Sequence, residues 1–169
     1  MIKYFVLFIL LFSNNVFAWE PLKIELENKN NNLRLYLINE YGAEVLVNQW
    51  LVMGPPFFSC GVTLEILDKE GKNIPFRGSS PVEMEQAEQN IILLWPRDII
   101  GREYKIRNLL LFYNLAPGIY KARATYKNKV KHFGKKRVYS GSITSDWITF
   151  EVTEEYINNI REEIEARKK

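Results

Sequence analysis

Apolar and polar residues alternate along most of the chain, and this alternation constrains the fold more than any other feature. A period of two places successive side chains on opposite faces of a strand, so each such segment predicts a half-buried β-strand. No amphipathic helical segment lies between them to connect parallel strands. We therefore predict an all-β antiparallel sandwich of about seven to nine strands. The alternating segments are 22–27, 33–37, 62–66, 104–107, 120–127 and 148–152.

Two interior segments carry more specific expectations. Residues 43–53 form a longer apolar stretch around Trp50, for which we expect a central strand with a bulge. Tyr104 and Ile106 alternate with charged neighbours, so we expect another strand to start with these residues.

The C-terminal segment, residues 154–169, is the only one with helical spacing. Acidic residues at its start and basic residues at its end are favourable for the helix dipole. We expect this helix to dock on its own domain, and the alternative is that its apolar face contacts a partner. The apolar stripe consists of Tyr156, Ile157, Ile160 and Ile164.

The first eighteen residues have the pattern of a secretory signal peptide. Lys3 precedes an unbroken apolar run over residues 4–12, and Ala18 provides a small residue at the cleavage point. A run of about nine residues is too short for a membrane span, which needs about 20. The alternatives are a retained anchor helix or a buried strand. We predict a periplasmic or secreted protein, cleaved near Ala18 and without a transmembrane segment in its mature form.

The segment Leu115-x-Pro117-Gly118-x-Tyr120 resembles the tyrosine corner of immunoglobulin-like and fibronectin-like sandwiches. Its continuation to Val152 is similar to the last two strands of many exported bacterial immunoglobulin-like domains. The resemblance implies an immunoglobulin-like sandwich over residues 19–153, in which the Tyr120 hydroxyl binds back to the preceding turn. It implies no particular activity, because this fold serves adhesins, chaperones, inhibitors and enzyme accessory domains alike.

The residues that carry most catalytic chemistry are scarce, so we predict that the protein is not an enzyme and holds no metal or cofactor. The sequence lacks the Gly-x-Ser-x-Gly motif, and His132 is the only histidine. The lysines around His132 repel a metal ion, so we expect no metal there. The acidic residues at 83–88 have the pattern of a solvated turn or a short helix. Cys60 has no internal disulfide partner, so it is either buried or an intermolecular contact.

The anomaly in the composition is a basic segment, residues 127–137, with six cations and no acid. Without residues 1–18 the chain has 22 basic and 20 acidic side chains, so everything outside the basic segment sums to −4. If the strand from Tyr120 continues to Lys131, its cations form a stripe about 33 Å long. The predicted binding residues are Lys121, Arg123, Lys127, Lys129, Lys131, Lys135, Lys136 and Arg137, together with the aromatic pair Phe57 and Phe58 after a rigid turn.

These residues suggest a non-catalytic binding module that contacts a protein or an anionic envelope component, and not nucleic acid. A competing interpretation is that the lysines only keep a strand edge from aggregating. Two further hypotheses are an assembly subunit, docking through its C-terminal helix or a free strand edge, and a small exported enzyme inhibitor or accessory domain. The sequence leaves the oligomeric state open.

Overall fold

The structure is a computed structural model that describes residues 21–30, 32–55, 60–78 and 90–166. It is mostly β, with 50% strand and 16% helix, as the alternation predicts. The strands are β1 (Leu22–Lys29), β2 (Asn32–Asn39), β3 (Val45–Asn48), β4 (Gly61–Leu67), β5 (Asn73–Ile74), β6 (Ile91–Leu94), β7 (Ile99–Lys105), β8 (Gly118–Asn128), β9 (His132–Phe133), β10 (Lys136–Arg137), β11 (Gly141–Thr144) and β12 (Ile148–Val152). The helices are α1 (Ile106–Tyr113) and α2 (Glu154–Ala166).

Two antiparallel sheets form the body of the described chain. One has the order β1-β2-β7, and the other has the order β11-β8-β4-β5, with β12 also paired to β8. Strand β1 contacts β8, β11 and β12, so the two sheets share one core. The alternating residues Leu33, Leu35 and Leu37 of β2 are fully buried in it. Strands β3 and β6 form a separate antiparallel pair, and β9 and β10 form a short hairpin.

The turn before β8 contains the contact that the tyrosine-corner motif implies. The Tyr120 hydroxyl donates to the carbonyl oxygen of Ala116 at 2.8 Å and accepts from the Ala116 N–H at 3.2 Å. The Tyr120 ring also stacks on Phe150 of β12, with 5.5 Å between ring centroids. The start of β8 is therefore tied both to its own turn and to its neighbouring strand.

Three buried tyrosines connect separate elements through hydroxyl contacts with the backbone. Tyr126 of β8 donates to the Asn48 carbonyl oxygen at 2.9 Å and accepts from the Asn48 N–H at 3.1 Å. Tyr113 donates to the Leu64 carbonyl and Tyr104 to the Leu51 carbonyl. Burial raises the pKa of all three hydroxyls above the usual value for tyrosine, so they stay protonated as donors.

Two predicted strands are wrong in detail. The stretch 43–53 does not form one long strand, because β3 ends at Asn48. The side-chain oxygen of Asn48 accepts the Trp50 N–H at 2.8 Å, and this local hydrogen bond turns the backbone out of the strand. Trp50 is half-buried, outside any strand. The strand expected to start at Tyr104 and Ile106 instead ends at Lys105, and Ile106 begins α1.

Helical spacing explains the second difference. Ile106, Leu109 and Tyr113 are all buried, and they fall on one face of a helix, so the core contact favours a helix over a continued strand. The alternation at 104–107 was too short to distinguish the two outcomes. The helix ends at Tyr113, and the next residue, Asn114, caps it in the left-handed conformation common at this position.

The C-terminal helix α2 docks on its own domain, as the sequence analysis expected. Its residues Tyr156 and Ile157 pack against the core, and the Arg107 N–H donates to the Tyr156 hydroxyl at 3.2 Å. The Arg107 guanidinium also pairs with Glu163 at 3.1 Å. Within the described residues, no helix is long and apolar enough to cross a membrane.

Candidate functional site

The cations of the basic segment lie largely on a short hairpin, residues 129–139, which we call the basic hairpin. Phe133 pairs with Lys136 and His132 with Arg137, and a two-residue turn of Gly134 and Lys135 joins them. Gly134 has φ +60°, and a glycine with positive φ in the first position of a two-residue turn fits the type II′ geometry. The turn chemistry thus selects a tight hairpin at this place.

The buried side chain of Asn128 holds the two ends of the basic hairpin together. Its amide nitrogen donates to the carbonyl oxygens of Val130 at 3.3 Å and Tyr139 at 2.6 Å. Its side-chain oxygen accepts the Val130 N–H at 3.1 Å. Asn128 is only 2% exposed, and a buried amide is stable when its polar atoms have partners, as here. We call this set of contacts the Asn128 clamp.

Further contacts fix the returning arm of the hairpin to the domain. The Val138 N–H donates to the Lys131 carbonyl at 2.9 Å, and the Tyr139 N–H donates to the Leu46 carbonyl of β3 at 2.8 Å. The Val138 side chain is 1% exposed, so it anchors this arm in the interior. Hydrogen bonds therefore hold the base of the basic hairpin in place, while its cations remain exposed.

Cys60 lies beside the Asn128 clamp. It is a free thiol, half-buried, and its Sγ donates to the Asn128 side-chain oxygen at 3.4 Å. The thiol thus has a weak polar contact inside the fold.

The exposed cations of the basic hairpin have no acidic partner among the described residues. Ion pairs in the described chain involve other cations, at positions 23, 34, 107 and 123. The surrounding sequence adds no compensation, because residues 104–145 contain ten Lys and Arg and no Asp or Glu. The exposed cations are Lys129, Lys131, Lys135, Lys136 and Arg137.

The continuous 33 Å stripe expected along one strand is wrong. Strand β8 ends at Asn128, where the side chain turns inward to form the clamp, so Lys129 and Lys131 lie beyond the strand. Lys121, Arg123 and Lys127 do share the outer face of β8, but this strand lies inside the sheet between β4 and its other neighbours. The predicted set therefore divides into two surfaces.

Arg123 has a local structural role that the sequence did not reveal. Its guanidinium forms two contacts with the Glu65 carboxylate of β4, at 2.7 and 2.6 Å. It also lies over the Trp147 ring, 4.5 Å from the centroid. Lys127 likewise has an interaction within the chain, whereas Lys121 is exposed at the other end of the face. Within the predicted set, the basic hairpin thus holds five of the six exposed cations.

The remaining predicted residues give less information. Phe57 and Phe58, and the acidic residues at 83–88, lie outside the described residues. His132 is exposed in the basic hairpin, across from Arg137. In the described part of the chain, no group of three or more His, Cys, Asp or Glu side chains is placed to hold a metal ion.

Sequence reasoning missed an exposed aromatic pair near the root of the basic hairpin. Trp95 is 56% exposed and Tyr41 is 42% exposed. Both backbones are held by the buried side chain of Asn39, whose amide nitrogen donates to the Trp95 carbonyl and whose oxygen accepts the Tyr41 N–H. A cleft of about 180 Å³ at the base of the hairpin is lined by residues 44–46 and 137–140. Trp95 directly follows Leu94, which pairs with Val45, one of the residues that line this cleft. A tryptophan before a proline was the only signal in the sequence.

Comparison with known proteins adds no family assignment. The sequence matches no protein-family model, and no curated protein is significantly similar to it.

Proposed function

We propose that this protein is a non-catalytic binding module whose basic hairpin engages an anionic partner. The observation that carries the proposal is the concentration of five exposed cations, without acidic partners in the described chain, on a hairpin with a clamped base. Cations that repel one another at close range favour a ligand that neutralises them.

The clamp supports binding over a purely passive role for the lysines. Lysines that only prevent aggregation need to project from a strand edge, and a fixed loop conformation adds nothing to that task. Here one buried amide and two backbone contacts fix both arms of the hairpin. A fixed arrangement of charges loses less conformational entropy on binding.

The first experiment measures the salt concentration at which the full chain elutes from immobilised dextran sulfate, a sulfated polymer used here as a generic polyanion. The test variant reverses four hairpin lysines to Glu: Lys129, Lys131, Lys135 and Lys136. The matched control reverses four exposed lysines elsewhere: Lys29, Lys69, Lys72 and Lys105. Both variants carry the same net charge, so any difference between them reports position and not total charge.

We expect the wild type and the matched control to bind at low salt and to elute as ions screen the contact. The hairpin variant should pass through without retention, and its thermal melt should equal that of the wild type because all four side chains are exposed. Equal retention of the two variants would refute the hairpin as the binding site.

The proposal extends to the fold family and to the location of the protein. Two facing antiparallel sheets and the Tyr120 contact with Ala116 support an immunoglobulin-like sandwich. The apolar run at 4–12 supports export, although residues 1–20 lie outside the described chain. Mass spectrometry of the protein from periplasmic and culture fractions tests export, and a mature N-terminus near residue 19 is the expected result.

A further inference from the structure

We infer that the anionic partner is the surface of a lipid bilayer, on which the basic hairpin docks with the Phe133 ring in the headgroup region. This inference rests on the proposed function, since it names the chemistry of the partner of the same site. Three features of the hairpin and its surroundings support it.

The first feature is the type of cation. Four of the five exposed cations of the basic hairpin are lysines. Lysine is depleted at protein–protein interfaces, where arginine is preferred because its planar group binds carboxylates in two places. Lysine keeps its hydration and acts as a point charge, which suits attraction to a field of phosphates. The composition of the hairpin therefore favours a charged lipid surface over an acidic protein.

The second feature is the position of Phe133. Its ring is 51% exposed although the residue is large and apolar. It directly precedes the turn, and its cross-strand partner is Lys136. Residues directly opposite each other in an antiparallel pair project to the same face, so an apolar ring and a cation leave the hairpin together. That combination is typical of segments that lie in the interface of anionic membranes.

The third feature is the exposed aromatic pair, Trp95 and Tyr41, near the hairpin root. Arg137 and Val45 line the same cleft, and Val45 pairs with Leu94, the residue before Trp95. Tryptophan and tyrosine are enriched at membrane–water interfaces because one end of each side chain is apolar and the other is polar. Exposed aromatic residues in addition to Phe133 fit a broad, flat ligand such as a bilayer surface.

The experiment is co-sedimentation of the full chain with vesicles of phosphatidylcholine alone and of phosphatidylcholine with phosphatidylglycerol, at 0.1 M salt. The variants are the hairpin charge reversal, its matched control, Phe133→Ser and Ile119→Ser. Ile119 is 56% exposed on the outer face of β8, so its replacement controls for the loss of an exposed apolar side chain away from the hairpin.

We expect the wild type to sediment only with the anionic vesicles, and the hairpin charge reversal to abolish this binding. Phe133→Ser should weaken binding about tenfold, the magnitude expected for an aromatic ring that leaves water in part. The matched charge control and Ile119→Ser should bind like the wild type.

Four results would overturn the inference or part of it, and they separate it from the proposed function. Binding to dextran sulfate without binding to anionic vesicles would refute the lipid partner and leave the proposed function intact. Binding to immobilised polyglutamate alone would indicate an acidic protein instead. Equal vesicle binding by Phe133→Ser and Ile119→Ser would refute the insertion of the ring. Absence of binding to any of the polyanions would refute both the inference and the proposed function.

Discussion

Replacement of Asn128 by alanine tests whether a single buried amide holds the basic hairpin in place. The side chain is 2% exposed and contacts three backbone groups, the N–H and carbonyl of Val130 and the carbonyl of Tyr139. The variant removes all three contacts and leaves the exposed cations unchanged. It therefore separates the architecture of the hairpin from its charge.

The size of the effect follows from the number of contacts and from their exposure. A hydrogen bond contributes about 0.5–1.5 kcal/mol, and a buried group left without a partner costs about 1–3 kcal/mol. Val130 and Tyr139 are half-buried, so water can replace part of what is lost. We therefore expect Asn128→Ala to lower the free energy of unfolding by about 2–3 kcal/mol.

The assay combines urea unfolding with hydrogen exchange. The amides of Val138 and Tyr139, which donate to Lys131 and Leu46, should exchange faster in the variant, because the clamp restrains both arms. Asn108→Ala is the control, since Asn108 is exposed on α1 and alanine favours a helix. If Asn128→Ala unfolds at the same urea concentration as the control, with unchanged exchange at Val138 and Tyr139, the clamp has no such role.

Three further predictions concern stability. Tyr120→Phe removes both hydroxyl contacts with the preceding turn and should lower the free energy of unfolding in urea by about 1–2 kcal/mol. An unchanged urea midpoint would contradict a stabilising role for the tyrosine corner. Gly134→Ala should lower the free energy of unfolding by about 1 kcal/mol, because the residue has a left-handed backbone and no atom lies within 4 Å of the added carbon. The control is Gly42→Ala, which is equally open but has no positive φ and should not destabilise the protein. The three buried tyrosines have raised pKa values, so the folded state keeps their protons at a pH where the unfolded state loses them. Stability should therefore fall as the pH rises above about 10. Tyr126→Phe should weaken this pH dependence, and a pH dependence equal to that of the wild type would refute its cause.

Local patterns predicted the strands well, because alternation reflects burial on one face and needs no knowledge of distant partners. Leu33, Leu35 and Leu37 alternate in the sequence and are all buried in β2. The tyrosine-corner motif also acts locally, since only four residues separate Tyr120 from Ala116. The helix at Ile106 was missed because its stabilising contacts come from the core and not from local propensity.

The candidate site was predictable in its charge but not in its geometry. A count of cations identified residues 127–137. The sequence could not show that Arg123 is paired, because its partner Glu65 is 58 residues away along the chain. The end of β8 depended on Asn128, whose partner Tyr139 is eleven residues further along the chain. A polar residue in an alternating segment has no sequence signal that distinguishes an internal clamp from an exposed side chain.

The most direct test of the central claim is an NMR titration of the isotopically labelled protein with a short sulfated oligosaccharide. Each backbone amide reports its own environment, so the experiment locates the contact without any substitution. We predict shifts concentrated at residues 129–137, which diminish as salt is added. Shifts centred on other exposed lysines, such as Lys69 and Lys72, with none in the basic hairpin, would contradict the account.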